Sequence, residues 1–233
     1  MESHRADRGP TAVIFDLWGT LVAFRHAAWD EVLAETASAL GAGLEEFLTA
    51  WHADYANRAV GELEPSLRRV CRQAGVITDD ARIRHVLELR RTALTGMFTP
   101  RADAAPTLRQ LRARWYSIGL VTNCTSEVPH LWQRSPLATL VDTTVFSCAE
   151  GLRKPDLAIY ELAAARLGVD TTDCVFVGDG ADSELDGAST AGMHAILLRT
   201  GDTHPPQDWD GPVIRQLSDV LTLLPEHPVP PTE

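Results

Sequence analysis

An apolar run that ends in a carboxylate, Val13-Ile14-Phe15-Asp16, followed by Leu17-Trp18-Gly19-Thr20-Leu21, restricts the fold of these 233 residues more than any other stretch. Three large apolar residues in succession, without the alternation of a half-solvated strand, suit a parallel strand covered on both faces. Parallel sheets bind their ligands outside the C-terminal ends of their strands. Asp16 therefore stands where such folds do chemistry, ahead of a turn that Gly19 and Thr20 supply.

From 27 to 98 the pattern is helical throughout. Trp29, Val32, Leu33, Thr36, Ala37 and Leu40 keep helical spacing and stop before Gly41. A second helix is expected over 44–60, opened by Glu45-Glu46 and ended by Gly61; a third starts at Pro65 and stops at Gly75; Thr78-Asp79-Asp80 caps a fourth that passes Leu94. Together they make an all-helical insert the size of a small bundle. After Pro100, helices over 105–115, 157–167 and 183–191 alternate with strands over 117–122, 145–147, 174–177 and 195–198. Strands alternating with helices imply an α/β fold with a doubly wound parallel sheet. The expected division is an α/β core over 11–26 and 99–223, a helical insert over 27–98, and disordered tails over 1–10 and 225–233, the latter holding four prolines.

A hydrophobic content of 45% supports a real core, and a net charge of −11 excludes nucleic acid and anionic membranes as partners, since neither polyanion is drawn to an acidic surface. No apolar run reaches about 18 residues, and the first ten are polar and charged, so a cytoplasmic protein without a membrane span is expected. Cys71, Cys124, Cys148 and Cys174 are too scattered for a zinc site and are expected as reduced, buried thiols. The sequence carries no signal for oligomeric state.

Four polar elements fall at strand ends: Asp16, Thr122-Asn123, Lys154 and Gly178-Asp179. In a parallel sheet these ends converge on one edge, so residues far apart in sequence meet there. A carboxylate such as Asp16 can attack phosphorus or carbon and split one hard step into two. Lys154 can offset negative charge beside it, and donors from Thr122 and Asn123 can hold anionic oxygens. Asp16 and Asp179 together suit Mg²⁺, which takes few carboxylates plus waters and substrate oxygens.

With Asp16-Leu17-Trp18-Gly19-Thr20, then Thr122-Asn123, then Arg153-Lys154-Pro155-Asp156, then Gly178-Asp179-Gly180-Ala181-Asp182-Ser183-Glu184, the chain resembles the haloacid dehalogenase superfamily, whose first motif is D-x-D-G-T. The resemblance runs from Thr11 to about Gly201 in the family's order and spacing. It implies a Rossmann-like core with a cap at 27–98, Asp16 as nucleophile, Lys154 and Thr122 in catalysis, and Thr20 and Asn123 on the substrate. It also implies Mg²⁺ held by Asp16, the Trp18 backbone carbonyl and Asp179, with Glu184 bound directly or through water, and a small anionic substrate.

Trp18 departs from the pattern. In the phosphatases of the superfamily the second Asp of the first motif protonates the leaving oxygen, and an indole N–H exchanges no proton near neutral pH. A phosphohydrolase then needs a good leaving group or a replacement acid, for which His26, Asp30, His52 and His85 are candidates in the insert. A 2-haloacid dehalogenase carries an aromatic residue at this position and expels halide without a proton. Arg25, as a carboxylate anchor, and Tyr160, six residues after Lys154, fit that alternative as substrate-binding residues. A non-catalytic binding protein on the same fold is the third reading. The acidic Gly178-Asp179 segment, where dehalogenases show Ser-Asn, favours metal and phosphate. Trp29 and Trp51 suit packing within the insert ahead of substrate stacking.

Overall fold

The computed structural model describes residues 9–201 and 208–226. Of the expected tails, 1–8 and 227–233 lie outside the described residues. Pro225 is held in place, its carbonyl accepting from the Tyr116 hydroxyl at 2.7 Å.

β1 (Ala12–Phe15), β2 (Ser117–Thr122), β3 (Thr143–Phe146), β4 (Cys174–Gly178), β5 (His194–Leu198) and β6 (Val213–Ile214) form one six-stranded sheet in the order β3-β2-β1-β4-β5-β6, every pairing parallel. β1 is central and buried along its whole length. Its side chains divide by the strand's period of two. Val13 and Phe15 enter one core with Leu108, Leu120 and Val177, while Ala12 and Ile14 enter a second with Ile159, Ala163 and Phe176 on the opposite face. Helices therefore cover both faces, as the unbroken apolar run of β1 requires.

β1 is followed by α1 (His26–Leu40), α2 (Leu44–Ala53), α3 (Tyr55–Arg58), α4 (Leu63–Gln73) and α5 (Asp80–Met97). These helices have their own core, in which Leu33, Phe47, Trp51, Leu67, Ile83 and Val86 are buried. Phe47 and Trp51 stack at 5.6 Å. Val32, Leu94 and Met97 pack on Leu131 of the sheet domain.

The sequence pattern carried one helix over 44–60, and the structure breaks it at Asp54. That carboxylate, 1% exposed, accepts from Arg69 Nε at 2.7 Å and from Asn57 Nδ2 at 3.0 Å, so the chain turns there to satisfy a buried charge.

The remaining helices are α6 (Ala104–Ala113), α7 (Val128–Gln133), α8 (Ser147–Glu150), α9 (Leu157–Leu167), α10 (Glu184–Thr190) and α11 (Val220–Leu223). The third strand lies at Thr143–Phe146 rather than 145–147, because Ser147 already opens α8. β6 and the short α7 and α8 have too few residues to display a period. The four cysteines are buried free thiols. No described helix is long and apolar enough to cross a membrane.

Candidate active site

The register of the sheet sets the site. Phe15 lies opposite Leu120 on one side and Val177 on the other, so Asp16 leaves the sheet beside the ends of β2 and β4. Its amide donates to the Val177 carbonyl at 2.9 Å, and the residue is 5% exposed. Lys154, buried in the turn between α8 and α9, donates from Nζ to Asp16 Oδ1 at 2.5 Å and also to Glu184 Oε2. Asp179 follows β4 and accepts from the Ala181 amide at 3.0 Å; Glu184 opens α10 and accepts from the Gly180 amide at 3.0 Å. Asp16, Asp179 and Glu184 each offer an oxygen within 4.8 Å of the others. Two glycines permit this crowding. Gly19, at φ +77°, has Asp179's carboxylate where a side chain would project, and Gly178 has Glu184's.

Three carboxylates face one ammonium here. Burial lifts the Asp16 pKa to about 6, and the nearby charge of Asp179 adds to the rise against the pull of Lys154. Burial likewise lifts Glu184 well above the carboxylate range, with Asp16 and Asp179 reinforcing it. Burial opposes the charge on Lys154, yet Asp16 and Glu184 outweigh it and hold its pKa well above the usual value for lysine. The cluster is thus short of positive charge, and its donors are hard oxygens of the kind Mg²⁺ takes.

Thr20 is fully buried, and its hydroxyl has no hydrogen-bond partner among the described residues. Thr122 is buried at the end of β2, its hydroxyl 3.4 Å from the Asn123 carbonyl. Asn123 borders the cavity, but its amide is already committed. Oδ1 accepts from the Lys154 amide at 2.8 Å, and Nδ2 donates to the Lys154 carbonyl at 3.0 Å and to Asp182 Oδ2 at 2.9 Å. It therefore anchors the lysine turn.

Arg25 and Tyr160 were expected on the substrate, and the structure places both elsewhere. Arg25 is an exposed residue at the N-cap of α1, with Nη2 3.5 Å from the Gly96 carbonyl. Tyr160 is fully buried, edge-on to Phe176 at 5.5 Å, and donates to the Glu184 carbonyl at 2.8 Å, which fixes the start of α10. His26, Asp30, His52 and His85 are exposed, and none lines the cavity.

That cavity, of about 270 Å³, has Asp16, Lys154, Asp179 and Glu184 on its floor and Trp18, Phe24, Trp29, Leu94 and Met97 along its wall. Among the lining residues that sequence reasoning missed are Tyr55 and Arg58. Tyr55 of α3 donates to Asp182 Oδ2 and accepts from Asn123 Nδ2 at 3.3 Å, tying the helices to the loop after β4. Burial, helped by Asp182, raises the Tyr55 pKa above the ordinary phenol value. Arg58 sits over the Trp51 ring at 4.1 Å and donates to the Trp51 carbonyl; burial lowers its pKa to about 10. No periodicity marks Tyr55, because its partners Asp182 and Asn123 are distant in sequence.

The sequence profile of the haloacid dehalogenase-like hydrolases matches residues 10–192. A phosphatase of Mycobacterium tuberculosis is 32% identical over 227 residues, which cover 92% of this chain and 96% of that relative. A glyceraldehyde 3-phosphate phosphatase of Methanopyrus kandleri is 35% identical over 136 residues, covering 54% and 58% of the two chains. Among solved structures, a 2-haloacid dehalogenase from Pseudomonas syringae superposes with a TM-score of 0.69 at 26% identity, over 92% of this chain and 97% of that one.

Proposed function

The chain belongs to the haloacid dehalogenase-like hydrolases, and on that premise we propose that it is a Mg²⁺-dependent phosphatase acting on a small phosphorylated molecule through an aspartyl-phosphate at Asp16. The observation that carries this choice is the cluster of Asp16, Asp179 and Glu184 around a single Lys154. A site with that excess of negative charge is unsuited to an anionic substrate unless a cation joins it. Asp16, Asp179 and the Trp18 backbone carbonyl would hold Mg²⁺, with Glu184 bound directly or through water, and the ion would neutralise phosphoryl oxygens as nucleophile and substrate approach.

In the first step a carboxylate oxygen of Asp16 forms a bond to phosphorus as the bond from phosphorus to the leaving oxygen breaks, the electron pair departing on that oxygen. Lys154 keeps Asp16 ionised and oriented, while the hydroxyls of Thr20 and Thr122 are the donors for phosphoryl oxygens. In the second step a water oxygen bonds to phosphorus, the bond to Asp16 breaks, and the water proton passes to solvent with release of phosphate. Trp18 gives no proton to the leaving oxygen. Helices α1 to α5 act as the cap that closes over the substrate and excludes bulk water.

A 2-haloacid dehalogenase is the second reading, favoured by Trp18 itself, since halide leaves carbon without a proton. The two are separated by offering 4-nitrophenyl phosphate and 2-chloropropionate, each with Mg²⁺ and with chelator. Phosphate release that stops on chelation is expected. Chloride release that persists in chelator overturns the proposal.

A further inference from the structure

The wall of the cavity differs in kind from its floor. Trp18 packs edge-on against Phe24 at 6.1 Å and against Phe98 at 5.5 Å, and Phe24 tilts against Trp29 at 6.1 Å. These rings form a continuous aromatic belt from the loop after β1 to the first turn of α1. Trp18, Phe24 and Trp29 are only partly buried and border the cavity, with Leu94 and Met97 beside them. Apolar surface left facing a cavity gains most from an apolar occupant.

Part of the hydrogen-bonding capacity of the polar side chains bordering that wall is already used. The Tyr55 hydroxyl is shared between Asp182 and Asn123, Arg58 is committed to the Trp51 carbonyl and ring, and the Thr125 hydroxyl donates to Glu127 at 2.8 Å. The hydroxyls of a sugar or glycerol phosphate would lose water against the aromatic wall and find few partners there, a cost that an aromatic ring does not carry. A second constraint comes from the chemistry. None of the four candidate replacement acids, His26, Asp30, His52 and His85, lines the cavity, which favours a leaving oxygen that is stable as an anion. A phenol ionises near a pKa of about 10, whereas an aliphatic alcohol lies nearer the value of water, about 16.

Both constraints select the same group. We infer that the substrate is an aryl phosphate, its ring held against the belt of Trp18, Phe24 and Trp29 and its oxygen leaving as a phenolate. This rests on the phosphatase proposal above and specifies its substrate class. The size agrees, since a cavity of about 150 Å³ already encloses benzene and this one offers about 270 Å³ for one ring and a phosphoryl group. In the step, the bond from Asp16 to phosphorus forms as the bond from phosphorus to the aryl oxygen breaks; the electron pair stays on the phenolate, which then takes a proton from water.

Four phosphates separate the two constraints in the unmodified protein with Mg²⁺. Phenyl phosphate has a ring and a stable leaving anion, benzyl phosphate has only the ring, acetyl phosphate only the stable anion, and ethyl phosphate neither. The expected result is kcat for phenyl phosphate at least about 10²-fold above benzyl phosphate, the scale of one missing general acid, and KM for phenyl phosphate below that for acetyl phosphate. Trp29→Ala should raise KM for phenyl phosphate more than for acetyl phosphate. Benzyl or ethyl phosphate turned over within tenfold of phenyl phosphate, or a Trp29→Ala effect equal for phenyl and acetyl phosphates, overturns the inference while leaving the phosphatase intact. Turnover of none of the four, acetyl phosphate included, overturns the phosphatase proposal itself.

Discussion

Lys154 holds the site together as a point charge between two acids. Its ammonium is buried against both Asp16, at 2.5 Å, and Glu184, and burial raises the pKa of each acid against the pull of that one cation. Replacing it by Met, of similar length, should lower kcat by at least about 10²-fold and destabilise the metal-free fold by about 3–5 kcal/mol, because two buried carboxylates lose their partner. Steady-state kinetics and urea unfolding check the two parts; a Lys154→Met protein as active as the parent would remove lysine from the mechanism. At this scale the sequence was most readable where the backbone alone decides position. Asp16 and Asp179 directly follow strand ends, Lys154 and Glu184 lie in the connections after β3 and β4, and a parallel sheet brings such segments to one edge. Arg25 and Tyr160 lie off the cavity, because spacing gives the turn of a helix but not what the rest of the fold sets against it. Tyr55 escaped notice for the same reason, its partner Asp182 being 127 residues away.

At the level of elements, the break between α2 and α3 shows how a single buried charge overrides an amphipathic pattern. Burial pushes the Asp54 pKa up, but hydrogen bonds from Arg69, Ser66 and Asn57 outweigh it and bring it below the usual aspartate value. A carboxyl lowered in the folded state stabilises the fold above its unfolded pKa of about 3.9 and loses that contribution as pH falls through the folded value. Asp54→Ala should therefore cost about 2 kcal/mol at pH 7, with the gap to the parent closing below about pH 4. Calorimetric melting of both proteins across that range is the check, and a gap that does not change with pH would assign the loss to packing alone. Because α3 begins at this break, the same variant should disturb Tyr55 and Arg58 at the cavity. Long, periodic elements such as α1, α9 and β2 were legible within a residue or two. β6, α7 and α8 were not, since two to six residues take their structure from neighbours rather than from a repeat.

For the molecule as a whole, the doubly wound core followed directly from unbroken apolar strands alternating with helices, and the helical insert from the absence of any strand pattern between β1 and Pro100. The chemistry of the wall required the fold, because its belt joins Trp18, Phe24, Trp29 and Phe98, which no motif links. On the proposed reading, three acids clustered around one lysine cost stability that a bound cation would restore. Mg²⁺ should therefore raise the melting temperature, by the equivalent of about 2.7 kcal/mol at a hundred times its dissociation constant. Asp179→Asn should abolish that shift, and a Mg²⁺ effect unchanged in the variant would place the ion elsewhere. The covalent step is open to observation as well. Acid quenching of a single turnover of phenyl phosphate, followed by mass analysis of the peptide that contains Asp16, should find one phosphoryl group on that carboxylate. Phosphate released with no label ever present on Asp16, or a label on another residue, would contradict Asp16 as the nucleophile.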